Sequence, residues 1–165
     1  MIGKSSIPTG IIRSVIEIAT SVETRAAIRD VVVTLGSAFD DEDWDALRNC
    51  LSNRFQHAET NVSVDGMTRM DGAQAFLNVL KHRAIHNRSL GIKFMHVFGD
   101  FTVKVAGPEA TASGFYTAYR YHSQQIAAPI TSTGWRGTYD LCREGGTWKL
   151  LSFVTSRLWL EGESY

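Results

Sequence analysis

An excess of charge, a cysteine framework and a long apolar run are all missing from this sequence. Acidic and basic residues balance at 17 each over 165 residues, so no net field draws the chain to nucleic acid or to an anionic membrane. A small neutral or weakly charged organic ligand suits it better. Two cysteines, Cys50 and Cys142, are too few and too far apart for a disulfide framework or a zinc site. Their apolar surroundings read as reduced core positions in a cytoplasmic protein. No window approaches the roughly 18 apolar residues of a membrane span. Lys4 followed by Ile11, Ile12, Val15, Ile16 and Ile18 faintly resembles a secretion signal, but Arg13 and Glu17 interrupt it and no small-residue cleavage pattern follows. A Gly-rich phosphate loop, a nucleophile elbow and a basic aromatic strip are also missing, which disfavours nucleotide-dependent chemistry, acyl transfer and nucleic-acid binding. His82 and His86 are spaced i, i+4 on a helical stretch but have no third ligand. Neither a metal nor a cofactor is expected.

What is present has the size of one domain, 1–165, with 1–21 read as an N-terminal helical extension. After a lead containing Gly3, Ser5, Ser6, Pro8 and Gly10, helical spacing runs from about Ile11 to Ala19. A stronger helix is predicted from Val22 to Phe39, with Ile28, Val32, Leu35 and Phe39 as its apolar seam. The acids Asp40, Asp41, Glu42 and Asp43 break it, and Asp43 can cap a short helix, Trp44 to Leu51, with Leu47 and Leu51 inward. Asp71 is expected to cap a further helix whose buried stripe is Phe76, Leu77, Leu80 and Ala84. From Gly91 the period changes to two. Strands are expected at 92–98, 101–106, 110–124, 133–143 and 147–158, with turns at Gly99-Asp100, Gly107-Pro108 and Gly145-Gly146. Helices followed by a meander imply an α+β fold, with helices packed on one concave face of a strongly bent antiparallel sheet.

Three residues sit where their chemistry is out of place. Ile92, Phe94, His96 and Phe98 share one strand face, so His96 lies on an apolar wall and needs a buried partner. His122 stands in a second strand of the same character. Asp40 closes a helix at the negative end of its dipole, at a cost of ~0.3–1 kcal/mol unless something compensates. One step round from Phe39, it can look inward to a strand histidine. Each feature also has a plain structural reading: the acids as a solvated turn, each histidine as a donor to a backbone carbonyl. Taken together, an aspartate bonded to one imidazole nitrogen fixes the tautomer and leaves the other nitrogen as a general base, with the second histidine available as acid. His57 falls in an irregular stretch and belongs to no such group. Tyr116, Tyr119, Tyr121, Trp135, Tyr139 and Trp159 read as sheet and pocket-lining bulk, any of whose hydroxyls can polarise a carbonyl. Arg120 and Arg136 are expected on the solvent face or at a subunit contact.

From about Val22 to Glu163 the chain resembles the NTF2-like superfamily in its SnoaL-like branch, and within that the scytalone dehydratases. The residues that carry this are FDDEDWDALRNC at 39–50, FMHVFG at 94–99, GFYTAYRYH at 114–122, GGTWKLLSF and the following LWLEGE. RAAIRDVVVTLGSAFD at 25–40 is similar as well to the first helix of the hexachlorocyclohexane dehydrochlorinases. The resemblance implies a cone-shaped α+β barrel with N-terminal helices on a strongly curved mixed or antiparallel sheet. It implies Asp40, His96 and His122 as the catalytic set, and a cytoplasmic homotrimer, else a dimer, acting on a small molecule. Phe39, Trp44, Glu59, Phe94, Tyr119, Tyr121, Trp135 and Trp159 are the expected substrate contacts. Phe39 stands where the dehydratases have a tyrosine, Glu59 near a second, and Gly137 near a pocket asparagine. The function expected is a cofactor-free dehydratase of a small cyclic, polyketide-like or aromatic-precursor substrate. The alternatives are an isomerase or cyclase on the same scaffold, or a small-ligand-binding protein.

Overall fold

The computed structural model describes residues 9–62, 66–124 and 129–162. Its elements run α1 (Thr9–Asp40), α2 (Trp44–Cys50), β1 (His57–Val62), β2 (Gly66–Asp71), α3 (Ala73–Ser89), β3 (Ile92–Ala106), β4 (Glu109–His122), β5 (Thr131–Glu144) and β6 (Thr147–Gly162). Six strands form one mixed sheet in the order β2-β1-β6-β5-β4-β3. β1 runs parallel to β6, and every other neighbouring pair is antiparallel. Register shifts within β3 and between β5 and β6 bend the strands, so the sheet curves without closing.

The α+β class holds and the helices precede the four-strand meander β3–β6, but the β1–β2 pair comes before α3 and β1 makes the sheet mixed; further differences have local causes. The two predicted N-terminal helices are one, because Thr20 and Ser21 supply neither a proline nor a glycine to stop it. Of the expected lead, Gly3, Ser5, Ser6 and Pro8 lie outside the described residues. Residues 57–62 and 66–71 form the antiparallel pair β1–β2 rather than an irregular stretch, with His57 opening β1. Asp71 does not cap α3. It ends β2 in an ion pair with Arg69, and Gly72 at φ 79° takes the N-cap position without a side-chain bond. Gly99-Asp100 is a bulge inside β3, not a turn, since both sides of it pair with β4.

α1 ends by a backbone device that fixes Asp40 in space. Asp43 N–H bonds Ala38 O at 2.8 Å, Glu42 N–H bonds Phe39 O at 3.1 Å, and Glu42 adopts φ 56°. This is the paired closure of a Schellman motif, in which a left-handed residue satisfies the last carbonyls. Each acid but Asp41 then has a separate partner: Asp40 faces the sheet, Glu42 pairs with Arg88 of α3, and the Asp43 carboxylate accepts from Ala46 N–H at 2.9 Å to cap α2. Ile28 and Val32 of the seam are fully buried, and Leu35 is nearly so. Burying each contributes about 1.5–3 kcal/mol. They pack α1 against β3 and β6, above a core that includes Leu47, Leu51, Phe76, Leu141, Leu150 and Phe153.

Candidate active site

The inner face of the sheet follows from pairing register. Phe94 lies opposite Arg120, His96 opposite Ala118 and Phe98 opposite Tyr116. β5 continues that face with Thr131, Thr133 and Trp135, opposite Arg120, Ala118 and Tyr116. Residues directly opposite in an antiparallel pair point to the same side. Between this face and helices α1 and α3 is a cavity of about 330 Å³, lined by His96 among mainly apolar residues. That volume suits a small organic molecule.

Asp40 reaches His96 twice. The His96 backbone N–H donates to Asp40 Oδ2 at 2.7 Å, and His96 Nδ1 lies 2.6 Å from Asp40 Oδ1. Both side chains are about 15 % exposed. These two donors supply the compensation that a carboxylate at a helix C-terminus requires. A carboxylate that accepts both bonds assigns the ring proton to Nδ1, leaving the Nε2 lone pair for other use. Rings set the orientation of the imidazole: Phe39 meets it edge-on at 5.9 Å, Phe94 and Phe98 stack at 6.3 Å, and Tyr116 lies at 5.7 Å. Gly36 makes room, since a Cβ there would stand 2.5 Å from Phe98 Cε2 and 3.3 Å from His96 Cβ.

Tyr116 and Tyr139, read from the sequence as sheet and pocket-lining bulk, line the cavity, as do three polar residues that the sequence did not single out, Thr60, Thr155 and Arg83. Thr155 Oγ1 bonds Thr60 Oγ1 at 3.4 Å, and both line the cavity with Tyr116. Burial pushes the Tyr116 hydroxyl well above the usual tyrosine range, against a hydrogen bond with Thr155 and the charge of Arg83. Tyr139 is raised by burial and by Tyr116, and Gly137 leaves the space its hydroxyl occupies. Both tyrosines therefore stay protonated as donors. Arg83 of α3 also lines the cavity and is open to solvent through its mouth. Surrounding protein and the neighbouring Arg120 lower its pKa, opposed by Tyr116.

Of the expected contacts, Phe39 and Trp135 line the cavity, and Trp135 stacks on Tyr116 at 6.1 Å. Phe94 borders an adjoining recess with Phe39 and Asp40. The others are elsewhere. Trp44 packs against the core under Lys81. Glu59 faces away from the cavity, because its neighbour Thr60 takes the inward position, and it pairs with Arg69 at 3.7 Å. Tyr119 and Tyr121 alternate to the outer face, opposite Met95 and Lys93. Trp159 lies over Gly134 on that same face, with Val97 and Phe115 exposed nearby. His122 is exposed at the end of β4, opposite Ile92, and does not line the cavity. Four residues of strand separate that position from His96, about 13 Å at the usual rise. Arg136 is exposed over Phe115 as expected, whereas Arg120 points inward with its guanidinium 5.9 Å over Phe94. Among the described residues, no group of three His, Cys, Asp or Glu could hold a metal, and no helix is long and apolar enough to cross a membrane.

The profile of a family described as "SnoaL-like domain" matches residues 20–154. No curated protein sequence matches the chain. Solved structures share its fold at low identity. An NTF2-like protein with a cystatin-like fold from Novosphingobium aromaticivorans is 20 % identical, with TM-score 0.67, over 94 % of this chain and 92 % of that one. A provisionally named scytalone dehydratase from Novosphingobium aromaticivorans is 11 % identical, with TM-score 0.69, over 90 % and 93 %. The hexachlorocyclohexane dehydrochlorinase LinA-type3 from Novosphingobium barchaimii is 16 % identical, with TM-score 0.64, over 86 % and 90 %. At these identities the likeness establishes the NTF2-like fold.

Proposed function

The chain belongs to the SnoaL-like domain family, and on that premise we propose that it is a cofactor-independent lyase removing water from a small cyclic carbonyl compound, with His96 as the base. The observation that carries this reading is the pair of hydrogen bonds between Asp40 and His96, which engages Nδ1 and leaves Nε2 free on a ring that lines a mainly apolar cavity. Nε2 takes the proton α to the carbonyl as the C–H electron pair becomes part of an enolate. A protonated hydroxyl such as Tyr116 donates a hydrogen bond to the oxygen on which charge develops. The C=C bond then forms as the β C–O bond breaks, and the imidazolium returns its proton to the leaving hydroxyl as water. Asp40 positions the ring throughout and stabilises its charged form. A dehydratase and a dehydrochlorinase among the structural neighbours are consistent with an elimination.

Because His122 is exposed at the strand end, the acid role expected of it passes in this reading to His96 itself. The same observation favours a second reading, isomerisation. A base that lifts a proton and returns it to another carbon needs no separate acid. The test is a panel of β-hydroxy cyclic ketones incubated with the wild type and with His96→Ala, followed by mass spectrometry. Dehydration gives a product lighter by one water, and isomerisation gives one of unchanged mass. Undiminished turnover by His96→Ala refutes both. Loss of the base is expected to cost about 10²–10⁴ in rate.

A further inference from the structure

Two arginines approach the candidate site from different elements, and neither is matched by a carboxylate. Arg83 comes from α3 and lines the cavity with His96 and Tyr116. Arg120 comes from the inner face of β4 and lies over the Phe94 ring, which itself stacks on the His96 imidazole. The charge of Arg120 bears on Arg83. Three of the nearby acids are engaged, Asp40 by His96, Glu42 by Arg88 and Glu59 by Arg69, and Asp41, on the rim of the recess beside Asn87, makes no ion pair with either arginine among the described residues. Among the described residues no ion pair involves Arg83 or Arg120.

The unpaired buried polar atoms gather in the same place. Among the described residues these are Asn87 Nδ2, Arg120 Nε and Thr131 Oγ1. Thr131 is the direct cross-strand neighbour of Arg120. Asn87 follows Arg83 by one turn of α3 and borders the recess beside Phe94, the other cross-strand neighbour of Arg120. An orphaned buried donor carries its full desolvation cost, and two like charges held near one another repel. Every group here is a donor or a cation apart from the hydroxyl, which serves as either, so the missing complement is an acceptor with negative charge. A guanidinium presents a planar fork that matches a carboxylate in particular.

We propose that Arg83 and Arg120 form a subsite for a carboxylate of the substrate, beside the His96 base. The substrate class is then a small ring compound that carries a carboxylate as well as the carbonyl. This deepens, and rests on, the reading of the cavity as the site of reaction. Arg83 and Arg120 anchor one end of the molecule, and the apolar walls and His96 receive the rest. The anchoring also places the reacting carbon by a contact remote from it, which is how binding is turned into orientation.

The test compares benzoate with benzamide, which have nearly the same shape and differ in charge. Binding is followed by NMR titration of the tryptophan and histidine side-chain signals, with Trp135 and His96 reporting from the cavity. Benzoate is expected to bind the wild type about tenfold or more tightly than benzamide, as a charge-assisted pair requires. Arg83→Gln and Arg120→Gln should each remove most of that preference and leave benzamide binding unchanged, while Arg83→Lys should keep part of it. The proposal is overturned if benzoate fails to bind, if it binds no tighter than benzamide, or if the variants weaken both ligands alike. The wild-type comparison stands even if a variant misfolds. His96→Ala should retain the benzoate preference, so a failure of the base and a failure of the anion subsite give different results.

Discussion

Asp40→Asn keeps the shape of the side chain and removes one of its two acceptors. In the native protein one carboxylate oxygen takes the His96 backbone N–H at 2.7 Å and the other takes Nδ1 at 2.6 Å. An amide can satisfy only one of these. If its oxygen keeps the backbone N–H, its NH₂ faces Nδ1, and the ring must move its proton to Nε2 to accept that bond. The nitrogen that served as base is then blocked. Losing a hydrogen bond to a charged group costs ~1.5–3 kcal/mol, and removing a negative charge from the end of α1 returns ~0.3–1 kcal/mol. The net expectation is a destabilisation of about 1–2 kcal/mol, read by urea unfolding with an unchanged m-value. Turnover should fall by about 10²–10⁴, and the corresponding aspartate change in a serine protease triad is known to act through the wrong tautomer. A variant as stable and as active as the wild type would refute the claim that Asp40 holds the ring in its working form.

The remaining predictions concern packing, capping and pH. Gly36→Ala forces its new methyl against Phe98 and toward His96, and should cost about 1–3 kcal/mol with weakened ligand binding, measured by thermal unfolding and titration. Asp43→Ala removes the bond to Ala46 N–H and should cost about 1 kcal/mol without changing ligand affinity, because α2 does not line the cavity. Tyr139 has a raised folded-state pKa through burial, so the stabilising effect of its protonated form is complete below the ordinary tyrosine value. It is lost as pH rises through the folded value. Stability should therefore fall above about pH 10 by up to ~1.4 kcal/mol per pH unit for this group. Tyr139→Phe should flatten that slope, and an identical alkaline slope would contradict it.

Helical and strand periodicity carried Asp40 and His96 because each lies on a face that its own segment defines. The apolar seam ending at Phe39 aimed Asp40 inward, and alternation from Ile92 to Phe98 aimed His96 at it. His122 shows where that reasoning stops. It lies on the inner face of β4 as expected, yet face is a local property and position along a strand is not. Pairing with Ile92 sets it at the rim. Glu59 failed on parity, since Thr60 takes the inward place in a strand pair whose polar sequence concealed it. The Asp65-Gly66 dipeptide, between Val64 and Met67, was the turn signal that the sequence held there. Tyr116 was legible only as one of several pocket-lining aromatics, since pairing register decides which of them face inward, and Arg83 joins the site through helix packing, which a single sequence does not display. Arg120 was expected outside because a buried cation is costly, and its inward position is the exception on which the anion subsite rests.

The most direct test of the account is the protonation state of the two His96 ring nitrogens, read from long-range proton–nitrogen NMR spectra of protein labelled at histidine. A proton is expected on Nδ1, bonded to Asp40, with a bare Nε2 whose signal shifts when a ligand fills the cavity. A neutral ring carrying its proton on Nε2 would contradict it, because no base would then face the cavity.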